Sequence, residues 1–382
     1  MISGFVHPDF GGVTHALRKV GTHKRGGGAA VAVFHQGKLV VDAWTGARDA
    51  SGAPWQSGTM AMSFSTTKGV IATVVHRLVD RGLIDYDEPV ATYWPEFAAA
   101  GKTGVTVRHL LTHSAGLHHL RDVITDAYEL DWDIVCARLA AEAPRYEPGT
   151  RHGYHGITYG FLVGEVIQRV TGTTVHEAVD NEIATPLALD GMSIGAPPDQ
   201  RDRVAELIVR FGDMERAERY AHRALRYARL RPAIEAFMVP KVDQLFASIN
   251  VLDAAIPAVN GCFTARSLAR MYAALAGGGV LDGKRFLSPE TLRRAIEIHT
   301  TGPDIVVGFP MRWRLGYHLA ATTRGIIPNG YGHFGFGGSG AWADPDNNLA
   351  VAFVCNRVAG TPFGDTRLLR IGTQARAAAA TR

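Results

Sequence analysis

Ser65-Thr66-Thr67-Lys68 sets a hydroxyl and an amine three residues apart, at the start of a stretch whose apolar positions are Val70, Ile71, Val74, Val75, Leu78 and Val79. That spacing predicts a helix, with Gly82 as its stop. Residues i and i+3 share a face on a helical turn, so the two groups meet. A serine hydroxyl is a weak nucleophile until a neighbour takes its proton. A helix N-terminus and an ammonium group both favour the negative charge that then develops. The pattern points to covalent catalysis, with Ser65 as nucleophile and Lys68 as its proton-handling neighbour.

Such a pair needs a second acid or base. Tyr154-His155-Gly156 follows His152-Gly153 in a turn, just ahead of a helical pattern carried by Tyr159, Leu162, Val163, Val166, Ile167 and Val170 and stopped by Gly172. A phenol titrates near pH 10 and works as a base only where a cation stabilises the phenolate. Lys68 is the candidate cation; a half-buried structural tyrosine is the competing reading. The third piece is Tyr331-Gly332-His333-Phe334-Gly335-Phe336-Gly337-Gly338-Ser339, followed by Trp342-Ala343-Asp344-Pro345. Glycine at this density lets backbone approach a ligand and offer N–H groups to an oxyanion, although a Gly-rich strand edge reads the same way.

Two further motifs compete. Gly191-Met192-Ser193-Ile194-Gly195 is a full GxSxG pentapeptide. A nucleophile elbow needs a buried strand before it and a helix after it; here Pro186 and Asp190 interrupt the approach and Pro197-Pro198 follows. Lys102-Thr103-Gly104 precedes the tyrosine turn and reads as loop. The 16 histidines include no HxH or HExxH; His152 with His155, or His113 with His118 and His119, come nearest to ligand spacing. No metal and no cofactor is implied.

In this order the three pieces resemble the class C β-lactamase-like serine hydrolases, which include penicillin-binding proteins, class C β-lactamases and family VIII carboxylesterases. The resemblance runs from about Gly27 to Asn356. It is also carried by Arg108-His109-Leu110-Leu111-Thr112-His113-Ser114-Ala115-Gly116-Leu117, by Pro148-Gly149, and by Asn260-Gly261 with Thr264-Ala265-Arg266. It implies Ser65 as the acylated nucleophile and Lys68 with Tyr154 as the proton-handling pair, the lysine keeping the phenol partly ionised. It implies the backbone N–H groups of Ser65 and Phe336 as the oxyanion hole. His333, Gly335 and His155 then fall among the substrate contacts. Gly156 stands where β-lactamases have the asparagine of Tyr-x-Asn, and His333 where they have the lysine of Lys-Thr-Gly. Both departures look like the esterase branch.

The expected function is hydrolysis of small carboxylic esters through an acyl-enzyme on Ser65. A β-lactamase or D-alanyl-D-alanine peptidase would use the same residues. An acyltransferase would pass the same acyl group to an alcohol, and a non-catalytic binding protein would keep the scaffold alone.

The elements that must position these groups are legible in part. Phe10, Val13, Leu17 and Val20 recur at helical spacing. Ala29 to Phe34 and Leu39 to Trp44 flank Gln36-Gly37 as a hairpin, and Leu349 to Cys355 follows the turn residues Asp344 to Asn348. Strands at both ends around helical sequence predict an α+β fold: an antiparallel sheet built from both chain ends, flanked by helices, as in β-lactamases and penicillin-binding proteins. The expected division is one catalytic domain over 1–382, with an α/β part at 1–75 and 250–382 and an inserted, mainly helical part at 76–249. Within the insertion, Arg201 to Arg231 holds nine arginines and five acids, with Val204, Leu207, Ile208, Phe211 and Met214 at the spacing of an amphipathic surface helix.

The chain has 382 residues, 46% of them hydrophobic and 20% charged, which excludes disorder and coiled coil. The formal charge of +4 comes from 40 basic and 36 acidic residues. That surplus is too small to suggest a nucleic-acid partner, so a small-molecule ester is the expected one. Oligomeric state has no signature in the sequence. Three scattered cysteines suggest reduced, buried thiols. No signal peptide and no apolar run of bilayer length is seen, so the expectation is a soluble, cytoplasmic protein without stable membrane insertion.

Overall fold

The computed structural model describes residues 1–22, 26–124, 131–208, 227, 229–237, 249–358 and 365–381. Its frame is a seven-stranded antiparallel sheet. The N-terminal strands are β1 (Ile2–Val6), β2 (Gly28–His35) and β3 (Lys38–Gly46). The C-terminal strands are β9 (His318–Thr322), β10 (Gly325–Phe334), β11 (Gly340–Asp344) and β12 (Leu349–Cys355). They lie in the order β1-β3-β2-β12-β11-β10-β9. The two sets join at β2 and β12, which pair from Leu349 with His35 to Cys355 with Ala29. This is the expected α+β architecture, with the sheet drawn from both ends of the chain.

Every residue of β2 is buried, because helices cover both faces, and a strand covered on both faces reads as a continuous apolar run. On one face Ala29, Val31, Val33, Val351 and Phe353 pack with Val13 and Leu17 of α1 (Gly11–Val20), and with Leu368 and Ile371 of a C-terminal helix at Arg367–Ala379. On the other, alanines at 30, 32, 341, 343, 350 and 352 face Leu268, Met271 and Tyr272 of the helix Ala265–Ala276. Methyl groups on that face let the helix backbone come close. Each fully buried Val, Leu or Phe here contributes about 1.5–3 kcal/mol.

The helix that follows Ser65, α2 (Thr66–Asp80), is reached through a three-stranded sheet of β4 (Ala61–Met62), β5 (Met192–Ile194) and β6 (Gly261–Phe263), with β6 in the middle. A two-stranded ribbon, β7 (Val280–Leu281) with β8 (Lys284–Arg285), completes the strands among the described residues. Helices α3 (Trp132–Ala141) and α4 (Thr158–Thr171) pack against each other on the inserted side, and α4 also packs on α2. Gly172 ends α4 in the left-handed region, at φ 69°.

One expectation fails. The Arg-rich segment does not begin as an amphipathic helix: Pro198–Arg203 is a 3₁₀ turn, and 204–208 runs as extended chain. Its backbone bonds go across to other strands, with Ala205 N donating to Met60 O and Ile208 N to Asn356 O, both at 2.8 Å. Val204 and Leu207 therefore meet the core without helical periodicity. Residues 209–226 and 228, with Phe211 and Met214, lie outside the described residues. A helix, α5, is present at Arg231–Phe237. Cys136, Cys262 and Cys355 are free and buried. No helix of the described residues is long and apolar enough to cross a membrane.

Candidate active site

From Thr59 through His76 every residue is buried except Ser65. The preceding residue, Phe64, has φ 49°, a left-handed conformation that is costly for a side chain of this size. This kink turns the chain from β4 into α2 with Ser65 at the helix N-cap. The N–H groups of Thr66, Thr67 and Lys68 are satisfied by the carbonyls of Ser63, Phe64 and Ser65. Ser65 N–H has no acceptor among the described residues.

Lys68 is completely buried. Its Nζ lies 3.1 Å from Ser65 Oγ, 2.7 Å from Gly156 O and 3.0 Å from Ala258 O. No carboxylate pairs with it among the described residues, and burial pushes its amine well below the ordinary lysine value. A neutral amine has two N–H groups and one lone pair. The two carbonyls take the N–H groups, and the lone pair is left facing the serine hydroxyl.

The Tyr154 hydroxyl donates to Ser65 Oγ at 2.7 Å, and Lys68 Nζ sits 5.0 Å from the centre of the tyrosine ring. Burial raises the phenol above its ordinary value, against the opposing effect of its bond to Ser65. Both members of the proton-handling pair are thus driven toward their neutral forms. This corrects the expectation that a lysine ammonium keeps Tyr154 partly ionised: desolvation penalises the ammonium and the phenolate alike.

Tyr154 is fixed by residues that the sequence did not single out. Its ring stacks on Trp313, with centres 5.5 Å apart and planes 2° from parallel. Asp304 is 1% exposed and accepts from four N–H groups: Tyr154, Val306 and Val307 at 3.1, 2.8 and 2.9 Å on Oδ1, and Trp313 Nε1 at 2.9 Å on Oδ2. One carboxylate therefore holds both the tyrosine backbone and the ring beneath it. Asp304→Ala orphans three buried donors and one half-buried one and is expected to lower stability by about 3 kcal/mol or more, measured by denaturant unfolding. An unchanged midpoint would show that the turn holds its place without this carboxylate.

The segment Thr112 to Leu117 braces the same turn. His113, at φ 57°, accepts Gly153 N on its carbonyl at 2.9 Å and His155 N on Nδ1 at 3.1 Å. His155 Nε2 accepts Leu117 N at 3.1 Å. His155 is fully buried, with its ring also edge-on to His118 at 6.3 Å.

Across the cleft, β10 delivers Gly335 and Phe336. A Cβ at Gly335 would clash with the Ser63 carbonyl and lie 2.9 Å from Thr66 Oγ1. The Phe336 ring meets Phe64 edge-on at 5.5 Å, and Phe336 N–H, like that of Ser65, has no acceptor among the described residues. The turn is held by Gly335 N to Ser339 O at 2.7 Å and by Gly338 N to Gly335 O at 3.2 Å. Arg367, paired with Asp365 at 2.6 Å, donates to Gly337 O. His333 is 1% exposed, with Nδ1 3.1 Å from Phe334 O. Its neighbour His318, another residue without a sequence signal, accepts Phe334 N on Nε2 at 3.1 Å. Burial holds the His333 ring well below the usual histidine range.

The competing motifs lie elsewhere. Ser193 is 1% exposed on β5, and its hydroxyl donates to Gly195 O at 2.7 Å. Lys102 is buried and donates to Ala99 O and Ala140 O at 2.8 and 2.9 Å, capping the end of α3. Among the described residues no group of three or more His, Cys, Asp or Glu side chains is arranged to hold a metal ion.

Comparison with known proteins accords with this arrangement. The family model described as Beta-lactamase matches residues 13–375. The chain belongs to the beta-lactamase family. Within it, the chain is 41% identical over 372 residues to the esterase/beta-lactamase LipL of Mycobacterium tuberculosis, covering 94% of this chain and 83% of that protein. A crystal structure of a family VIII carboxylesterase superposes with a TM-score of 0.85 at 35% identity, covering 99% of this chain and 100% of the other. A penicillin-binding protein homologue from Caulobacter crescentus gives 0.86 at 34%, with the same coverage.

Proposed function

We propose that this beta-lactamase family member is a serine hydrolase that cleaves small carboxylic esters through an acyl-enzyme on Ser65. The observation that carries this reading is the convergence on one half-buried hydroxyl. Ser65 Oγ receives the Tyr154 hydroxyl at 2.7 Å and faces Lys68 Nζ at 3.1 Å, beside two backbone N–H groups that have no acceptor among the described residues. Relatives named as an esterase/beta-lactamase and as a family VIII carboxylesterase support ester hydrolysis.

As Ser65 Oγ bonds to the carbonyl carbon, its proton passes to Lys68 Nζ, and the carbonyl oxygen becomes an oxyanion held by the N–H groups of Ser65 and Phe336. Collapse breaks the bond to the alkoxy oxygen, which takes the Tyr154 proton. The Lys68 ammonium returns its proton to the phenolate, since both groups bond the same oxygen. Water then repeats the sequence: it loses a proton to Lys68, attacks the acyl carbon, and leaves the acid and a reprotonated Ser65. The chain's partner in this reading is a small ester.

Fluorophosphonate labelling followed by peptide mass mapping tests the assignment. The adduct is expected on Ser65 and to be lost in Ser65→Ala, while Ser193→Ala labels and hydrolyses p-nitrophenyl butyrate as wild type does. An adduct on Ser193 would overturn the site.

A further inference from the structure

Helix α5 runs beside the tyrosine turn. At Gly156 a Cβ would lie 2.8 Å from Ala236 O and 3.0 Å from the Phe237 ring. The space a side chain at position 156 would need is therefore already taken, by an element about 80 residues further along the chain. The absence of a side chain at 156 and the presence of Phe237 are two halves of one packing solution. Phe237 also packs on Tyr154, with ring centres 5.7 Å apart. Around them Ala236, Val306, Met311 and Trp313 are buried, while Ala233, Phe237, Ile305 and Val307 remain partly exposed. These four form a partly exposed apolar wall on the cluster that holds Tyr154.

We infer that Phe237 is a specificity-determining residue, whose ring sets the length of uncharged hydrocarbon chain that the ester can lay against this wall. The inference rests on the Ser65 reading above and names the substrate class for that site. The ring puts carbon where a side chain at 156 would lie, so the wall grips methylenes by contact area and not by hydrogen bonds. Each methylene admitted to, or shut out of, an apolar pocket changes kcat/KM by about tenfold or more. The chain concerned is either the acyl or the alkoxy side of the ester, and the two are separable.

The test compares wild type, Phe237→Ala and Phe237→Trp on two substrate pairs: p-nitrophenyl octanoate against butyrate, and octyl against butyl acetate. In one pair the long-to-short ratio of kcat/KM is expected to rise about tenfold in Phe237→Ala and to fall in Phe237→Trp. Fluorophosphonate labelling of Ser65 is expected to be intact in all three proteins. The pair that responds identifies which side of the ester meets the wall. Ratios unchanged in both pairs, with labelling intact, overturn the role of Phe237 and leave the catalytic reading standing. No Ser65 adduct in wild type overturns both.

Discussion

Lys68→Met is expected to lower kcat for ester hydrolysis by about 10³-fold and to remove the rising limb of the pH profile. Burial is the cause. The amine is completely enclosed, without a carboxylate partner among the described residues, so its proton leaves well below the ordinary value of 10.5. Activity in wild type should therefore climb as Lys68 becomes neutral and level off before pH 10.5. Stability follows the same proton. Between the folded value and 10.5 the unfolded chain binds a proton that the folded chain does not, so stability rises with pH through that window and is flat above it. Methionine fills a similar volume but leaves Gly156 O and Ala258 O without their donor, a cost of about 1–3 kcal/mol, against the relief of a desolvated amine. The two changes oppose each other, so the variant is expected to stay folded while losing both the kinetic limb and the slope of unfolding midpoint against pH. An unchanged rising limb in Lys68→Met would show that another group accepts the serine proton.

Gly335→Ala is expected to reduce kcat by about 10²–10³-fold, the loss typical of one oxyanion donor. Glycine is needed here for close approach. The added methyl group would strike the Ser63 carbonyl and sit 2.9 Å from Thr66 Oγ1. Neither obstacle yields readily: Ser63 N is anchored to Gly261 O at 2.8 Å, and Ser63 O accepts Thr66 N at 3.2 Å. The end of β10 must then move away, carrying the Phe336 N–H with it, while Ser65, Lys68 and Tyr154 keep their mutual contacts. The signature is slowed acylation with an unchanged pH midpoint, read by pre-steady-state release of p-nitrophenol. Wild-type acylation in Gly335→Ala would mean that the oxyanion is held elsewhere.

The sequence made the proposed nucleophile and its two neighbours legible because their chemistry is written locally, in a three-residue spacing and in turns bounded by glycine. Strands β2 and β12 were legible because burial on both faces leaves an unbroken apolar run, and β3 because it returns from β2 across the Gln36-Gly37 turn. What escaped depends on partners remote in sequence. Asp304 is one acid among 36; its bond to Tyr154 N–H, 150 residues away, makes it matter. Phe237 has no periodic signal that ties it to Gly156. The apolar residues at 204, 207 and 208 fit a helix by spacing, yet Ala205 N and Ile208 N bond to Met60 O and Asn356 O across the fold, and tertiary pairing overrides the pattern. The ionisation of Lys68 and Tyr154 is not legible in the sequence for a related reason: the two types suggest an ion pair, and depth of burial pushes both toward their neutral forms.

The junction of β2 with β12 bears on how the enzyme is made. Gly28 N donates to Asn356 Oδ1 across 328 residues of sequence, so the centre of the main sheet closes one of the longest loops the chain allows. Contacts this distant are slow to form. While the chain is being synthesised, the β2–β3 hairpin presents an apolar strand edge whose native partner does not yet exist, a state prone to pairing with the wrong chain. Ser65 and Lys68 emerge early, but the Phe336 N–H arrives with the closing strands. In the proposed mechanism a nascent chain is therefore catalytically silent until the moment its sheet is complete.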